Sequence, residues 1–412
     1  MTFPKAPKGL RLTQTKEPAL SRPVKTLTAP KMLYLPARED DKLYVQPKKA
    51  ALAGMPIYPT DSHFGVSFPV YRDSVLTGFR TFPDTYHDVS FASLACTEGG
   101  SFTSIPECEM PPAPEDILGL SRACAIWDNC DHTPLHKKLA RYMEETVQTL
   151  IVYGIDDQPY ISVNSSPVFA EPELLLKGIE LANQLIGAAN IRILLPKDLG
   201  EDAPKSPKKL GGDIPVSTLR VRYPHRATAL ANETTVVISA EALVRLALAF
   251  SWDAGGMMTT VSVMGDCVSE PCNVRVPVGT PVEEVLEFAG LSEEPRAVIL
   301  GGSLTGSVIT DLATPILPGM RGVLAFRKAK SPRQYDCIGC GKCIQVCPQN
   351  LMPVYIYKAY QGNNKDEMKR LKVLACTDCG CCSYICPSNL ELTNTLKQTK
   401  RLIKEDVFDE AD

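Results

Sequence analysis

The chain has 412 residues, 44% of them hydrophobic and 22% charged, and a net charge of −3. That length requires several domains, since one core rarely grows past about 250–300 residues, and the near-neutral balance excludes a general affinity for nucleic acid or for an anionic membrane. No run approaches the roughly 18 apolar residues of a membrane span and the opening segment lacks the apolar core of a signal peptide, so any membrane association is expected to be peripheral.

Residues 1–30, rich in Lys, Pro and Thr without a sustained period, read as an extended lead-in. Over 31–106, short apolar runs separated by turn residues predict a small all-β unit, and ECEMPPAPE (107–115) reads as a linker. Across 115–256 helical and strand-like patterns alternate. Helical spacing from Leu135 to Leu150 feeds the strand-like TLIVYGI, and the amphipathic EPELLLKGIELANQLIGAA precedes IRILLP. A polar loop runs from Lys197 to Gly212, then TTVVISA reads as a strand and EALVRLALAF as a helix. This order argues for an α/β layer on a mainly parallel sheet. The most apolar stretch, Val236 to Met258, is broken by Glu241, Arg245 and Asp253 and reads as an amphipathic helix running into a loop. Residues 257–328 follow the order strand, strand, helix, strand, strand, a compact α+β unit. Residues 333–404 read as mostly helical and 405–412 as an acidic tail.

Of the 15 cysteines, nine lie between Cys337 and Cys386; Cys96, Cys108, Cys124, Cys130, Cys267 and Cys272 are scattered. Clustering of this kind in a long chain points to metal ligation in a reducing compartment, expected to be the cytoplasm. Cys337-x2-Cys340-x2-Cys343-x3-Cys347-Pro348 is followed by Cys376-x2-Cys379-x2-Cys382-x3-Cys386-Pro387. Each is the bacterial-ferredoxin run for a [4Fe–4S] cluster, in which the fourth cysteine ligates the other cluster. Cys337, Cys340, Cys343 and Cys386 are therefore expected to hold one cluster, and Cys376, Cys379, Cys382 and Cys347 the second. Each fourth cysteine is expected to head a helix whose first turn takes the proline. Zinc also favours C-x2-C pairs, but it gives no reason for the third and fourth cysteines or for the proline. Cys381 fits no ligand register and reads as a free thiol near a cluster. From Arg333 to Lys404, eleven basic residues stand against five acidic ones. That excess offsets anionic clusters, and the remainder suits an acidic redox partner.

With these motifs placed, the chain resembles the RnfC family, the iron–sulfur subunits of the Rnf ion-translocating electron-transport complex. VSVMGDCVSEPCNVRVPVGTPVEEVLEFAG (261–290) is similar to that family's β-grasp (SLBB) segment, and GGSLTG (301–306) to a glycine turn that follows it. CSYICPSN (382–389) is close to the family's ending, and YGIDDQPY (153–160) stands where the family has an NGAECEPY-type segment. The early stretch through Gly78 resembles a barrel-sandwich hybrid domain. The implied architecture is multidomain: a barrel-sandwich-like β unit, an α/β flavin-type domain, a β-grasp domain and a two-cluster ferredoxin domain.

One departure bears on cofactors. Members that oxidise NADH carry a GGAGFPT-type loop where this chain has WDNCDHTPLHKKL (127–139), which lacks glycine and brings in Asp128 and Asp131. Side chains block close backbone approach and carboxylates repel phosphate, so the FMN/NADH site near Asp128 to His136 is expected to be lost. The segment at 223–239 replaces a longer family stretch that helps enclose the flavin. Cys124, Cys130, His132 and His136 have the spacing of a metal site but read as a surface helix start with buried thiols. Asp156 and Asp157 read as loop carboxylates rather than a remnant of the cofactor cleft, and Cys267 and Cys272 as packing residues.

The resemblance implies an electron-transfer subunit of a membrane-associated redox complex, not catalytic alone and peripheral on the cytoplasmic face. It would relay electrons between a soluble partner (ferredoxin, another redox protein, or an NADH-linked donor) and membrane subunits. The alternatives are a soluble adaptor feeding a dedicated reductase of the proline-reductase-associated or cobalamin-reductase type, or a genuine NADH dehydrogenase subunit with an unusual FMN loop.

Overall fold

The computed structural model describes residues 10, 20–27, 30–36, 75–81, 90–95, 112–124, 126–131, 133–200, 203–250, 258–317, 319–328 and 333–409. Most of the lead-in, of the expected β unit of 31–106 and of the linker lies outside these residues, as do His132 and the last three residues of the acidic tail.

The first strand, β1 (Lys25–Thr26), joins a sheet built much later in the chain. β2 (Met32–Pro36), β3 (Val75–Thr81) and β4 (Ser90–Ala95) form an antiparallel sheet with β4 in the middle.

The α/β layer opens with α1 (Pro114–Ala123), the hairpin β5 (Trp127–Asp128) and β6 (Thr133–Pro134), then α2 (Leu135–Met143) and β7 (Thr149–Tyr153). The helical spacing that extends to Leu150 is not followed that far. α2 stops at Met143, because Gln148 and Thr149 turn their amides onto the Thr234 carbonyl and the chain enters the sheet. After α3 (Ser166–Ala170), α4 (Pro172–Ile186) begins with proline and Glu173 in its first turn and ends at Gly187, φ +64°. Its buried stripe is Leu175, Ile179, Ala182 and Leu185/Ile186, each large side chain contributing about 1.5–3 kcal/mol on burial.

β8 (Asn190–Pro196), β9 (Lys209–Leu210), β10 (Ile214–Leu219) and β11 (Thr235–Ser239) complete a sheet of order β11-β7-β8-β10-β9, parallel except for β9. The end of the expected polar loop is thus β9, which turns into β10 through Gly211 and Gly212, both at positive φ. Val236 to Ile238, expected in a helix, are strand: all three are buried and pair with β7, as β-branched residues favour. The helix begins one step later as α5 (Ala240–Ala249), capped by Ser239 Oγ accepting from Ala242 N. Gly178 of α4 lies so near the Leu243 carbonyl that a Cβ would come within 1.9 Å of its oxygen, which fixes how closely α4 and α5 pack.

β12 (Met258–Met264), β13 (Cys272–Pro277), α6 (Val282–Phe288), β14 (Ala297–Leu300), β15 (Ser307–Ile309) and β16 (Gly322–Phe326) form the next unit, in the order β1-β13-β12-β16-β14-β15. An antiparallel β12–β13 hairpin, a parallel β12–β16 pair and α6 across the sheet give β-grasp topology. Cys267 and Cys272 lie in its apolar core. Buried polar groups join this sheet to the α/β layer: Ser162 N donates to Ser262 Oγ at 2.9 Å, and Arg275 Nη2 pairs with Glu171 at 2.8 Å.

The last unit is helical: α7 (Lys342–Val346), α8 (Pro353–Gln361), α9 (Lys365–Arg370), α10 (Cys381–Tyr384) and α11 (Leu392–Asp409). Leu351, Ile356, Met368, Val373, Leu396 and Ile403 form its core. Among the described residues, no helix is long and apolar enough to cross a membrane.

Candidate metal centre

The two cysteine runs fold as near repeats. In the first loop Gly339 and Gly341 take φ +70° and +69°; at the same offsets in the second, Asp378 and Gly380 take +53° and +78°. Left-handed residues at alternate positions curl the loop, so that successive amides face inward, a concavity that suits an anionic group. The third cysteine of each run begins or enters a short helix, α7 or α10.

The fourth cysteine does not head a helix as expected. Cys347 and Cys386 open β-turns instead, with Asn350 N donating to Cys347 O at 3.2 Å and Asn389 N to Cys386 O at 3.1 Å. Pro348 and Pro387 occupy the second turn position, where a fixed φ near −65° is favoured. The turn reverses the chain and carries each fourth cysteine toward the opposite loop.

Cys337, Cys340, Cys343 and Cys386 line one cavity of about 160 Å³. Cys347, Cys376, Cys379 and Cys382 line a second, of about 10 Å³, with Cys381 also on its wall. Three thiols come from one run and the fourth from the other in both cases. The thiols ring the cavities rather than meet at a point. Among the described residues no three His, Cys, Asp or Glu side chains converge on the position of a single metal ion. Four cysteine sulfurs per cavity are the donor set of a [4Fe–4S] cluster.

The two cavities differ in their surroundings. Around the first, residues 333–340 are exposed and Ile338 reaches 70% exposure. Nothing lies within 4 Å of where a Cβ on Gly339 or Gly341 would point. The second loop is gripped from three sides. Tyr223 Oη donates to the Cys379 carbonyl at 2.5 Å. A Cβ on Gly380 would come within 2.4 Å of the Leu304 carbonyl oxygen in the GGSLTG turn, and Gln158 Oε1 accepts from Leu304 N at 2.9 Å. Lys400 Nζ donates to Cys376 O at 2.9 Å and to Asp378 Oδ2 at 2.7 Å. Burial pushes the Cys376 thiol up to about 12 and that of Cys382 to about 11, so both are protonated at neutral pH until a metal displaces the proton. The Cys379 thiol, hydrogen-bonded with Cys381, sits lower, at about 6.

Tyr223, Leu304 and Lys400 carry no motif, and only the fold shows that they meet the second loop. The single hint in the sequence is that Tyr223 opens the stretch that departs from the family pattern.

The hairpin over 127–134 is closed by its own carboxylates. Asp128 Oδ1 accepts from Cys130 N and from Ser239 N, each at 3.0 Å, and Oδ2 pairs with Lys138 Nζ at 2.5 Å. Asp131 pairs with the same ammonium at 2.7 Å and accepts from Thr133 N at 3.2 Å. Burial alone would raise the Asp128 carboxyl, but the Lys138 charge and these hydrogen bonds hold it below the usual range. Cys124 lies in the α/β core and Cys130 packs beside Tyr153, in separate apolar clusters. Asp156 is buried and accepts from Asn164 N, Ser165 N and Ser165 Oγ, tying down its own loop. Asp157 accepts from His225 N at 2.8 Å.

Two families match within the chain: the 4Fe-4S dicluster domain over residues 332–387 and the SLBB domain over 260–306. The C-subunit of the ion-translocating oxidoreductase complex of Rhodobacter capsulatus is 27% identical over 264 residues, covering 58% of this chain and 51% of the relative. That of the Na(+)-translocating ferredoxin:NAD(+) oxidoreductase complex of Acetobacterium woodii is 28% identical over 257 residues, 57% of this chain and 58% of the relative. The corresponding protein of Pseudomonas aeruginosa is 29% identical over 268 residues, 57% of this chain and 33% of the relative. The chain thus spans between a third and three-fifths of the length of these relatives. An NAD+-reducing [NiFe]-hydrogenase in the H2-reduced state superposes with a TM-score of 0.43 at 16% identity, over 70% of this chain and 60% of that one, a likeness too slight to add to the assignment. On the domain matches and the curated relatives together, the chain is a homologue of the RnfC subunits of ion-translocating oxidoreductase complexes over the span that they share.

Proposed function

We propose that this protein is the iron–sulfur electron-transfer subunit of an Rnf-type redox complex, relaying single electrons between a soluble partner and membrane subunits. The observation that carries the reading is the pair of cavities, each ringed by three cysteines of one run and the fourth of the other. In this reading Cys337, Cys340, Cys343 and Cys386 hold one [4Fe–4S] cluster and Cys376, Cys379, Cys382 and Cys347 the other; each cluster, when bound, supplies a one-electron carrier. The inward-facing loop amides and the Lys400 ammonium beside Cys376 favour its negative charge. Pro348 and Pro387 fix the turns that cross the two ligand sets.

The proposed division of labour follows the units already described: a β unit over 31–106, an α/β domain over 115–256, a β-grasp domain over 257–328 and a two-cluster domain over 333–404. The α/β domain in this reading binds neither FMN nor NADH. The amides of the 127–134 hairpin and of the α5 start, which a phosphate would need, already bond Asp128, Asp131 and Ser239. Any added anion would meet two carboxylates. The protein then sits at the cytoplasmic face through its partners and is not a catalyst alone.

Iron, sulfide and flavin analysis of anaerobically prepared protein tests all of this together. The expected result is about eight irons and eight sulfides, no flavin, bleaching by dithionite and none by NADH. Stoichiometric FMN with bleaching by NADH would replace the adaptor reading of 127–139 with an NADH dehydrogenase.

A further inference from the structure

The two cysteine loops are close copies in backbone and opposite in environment. Gly341 and Gly380 occupy the same place in their runs. The first points into open space, whereas the second abuts the Leu304 carbonyl. Tyr223, Leu304 and Gln158 close the second loop against the α/β and β-grasp units. The first loop instead exposes two of its thiols, on Cys337 and Cys340, beside three apolar side chains that serve no core: Tyr335 at 57% exposure, Ile338 at 70% and Tyr355 at 51%. Ile338, Tyr355 and Lys358 line the first cavity itself.

Charge says what fits there. Arg333 lies over the Tyr335 ring, with its guanidinium 5.7 Å from the ring centroid. Lys342 and Lys358 flank the same loop, against the single carboxylate of Asp336. An apolar centre with exposed aromatic residues and a cationic rim, directly above a redox site, matches a carrier that is acidic around its own exposed centre. A basic carrier would be repelled.

We infer that the face formed by Tyr335, Ile338, Tyr355, Arg333, Lys342 and Lys358 is the docking surface for an acidic one-electron carrier protein, and that the Cys337 run is the outer terminal of the relay while the Cys376 run is the inner one. This rests on the electron-relay reading. The exchange breaks and forms no bond: one electron leaves the reduced carrier and one is gained by the chain.

The test uses the full chain with its iron in place and an acidic ferredoxin reduced in advance as probe, the rate of electron transfer being followed by stopped flow. The expected result is that the double variant R333E/K342E loses about tenfold in second-order rate constant at low salt. The loss should shrink as salt is added, with iron content and the extent of dithionite reduction unchanged. Charge reversal of the exposed Lys208 and Lys209 on the α/β sheet should leave the rate as it was. An unaltered rate in R333E/K342E, or an equal loss in K208E/K209E, would overturn the docking surface while leaving the relay intact. Failure of dithionite to reduce the unsubstituted protein would instead remove the relay reading, and the docking surface with it.

Discussion

His136 lies half-buried on α2 with Nδ1 unpartnered, and burial, aided by the Arg122 and Lys137 charges, pulls it down to about 4. Against an unfolded value of about 6.5, the sign is that of a group that folds neutral. Its contribution is complete above pH 6.5 and is lost as pH falls toward 4. Denaturation midpoints followed from pH 7 to 4 should therefore fall less steeply in H136Q than in the parent, and equal slopes would contradict the burial argument. Tyr223 offers a sharper probe. Its hydroxyl draws charge from the Cys379 carbonyl, so Y223F should move the midpoint potential of one cluster to more negative values and leave the other where it was. A redox titration followed by electron paramagnetic resonance separates the two, and equal shifts in both would deny the specific contact. Neither residue can be singled out from the sequence, because what matters in each case is a neighbour brought in by the fold.

Among elements, the paired glycines give a direct comparison. Alanine at Gly341 meets the left-handed backbone alone, at about 1–2 kcal/mol. Alanine at Gly380 meets the same backbone and the Leu304 carbonyl as well, adding about 1–3 kcal/mol of overpacking. G380A should accordingly lower the temperature of thermal unfolding clearly more than G341A, and G341A as damaging as G380A would mean that the β-grasp turn does not hold the second loop. Where an element's signal is local, the sequence is legible. The Pro and Gly punctuation of α4 and the alternation through β12 and β13 give their places directly. The differences fall where pairing overrides pattern. Val236 to Ile238 are strand because β7 needs a parallel partner, and Lys209 to Leu210 because two glycines allow a hairpin. The ligand spacing is equally plain, yet turns follow Cys347 and Cys386 in place of the expected helix starts. A cysteine followed by proline suits both, and only the Asn350 and Asn389 amides decide between them.

For the molecule as a whole, the crossing of the two cysteine runs has a measurable signature. C347A should deplete the cluster held by the later run, and C386A the cluster held by the earlier one, each leaving about four irons. Depletion of the nearer cluster in either case would show that each run serves itself. Another long-range arrangement concerns assembly. β1 pairs in parallel with β13, Lys25 opposite Val274, and Arg22 Nη1 reaches the Pro271 carbonyl 249 residues further on. At about 5–20 residues per second of synthesis, roughly 12–50 seconds separate the appearance of that segment on the ribosome from the arrival of its partner. During that interval its backbone groups have only water or unrelated surfaces to satisfy them. The β-grasp edge is sealed late, by the oldest part of the nascent chain returning to the newest.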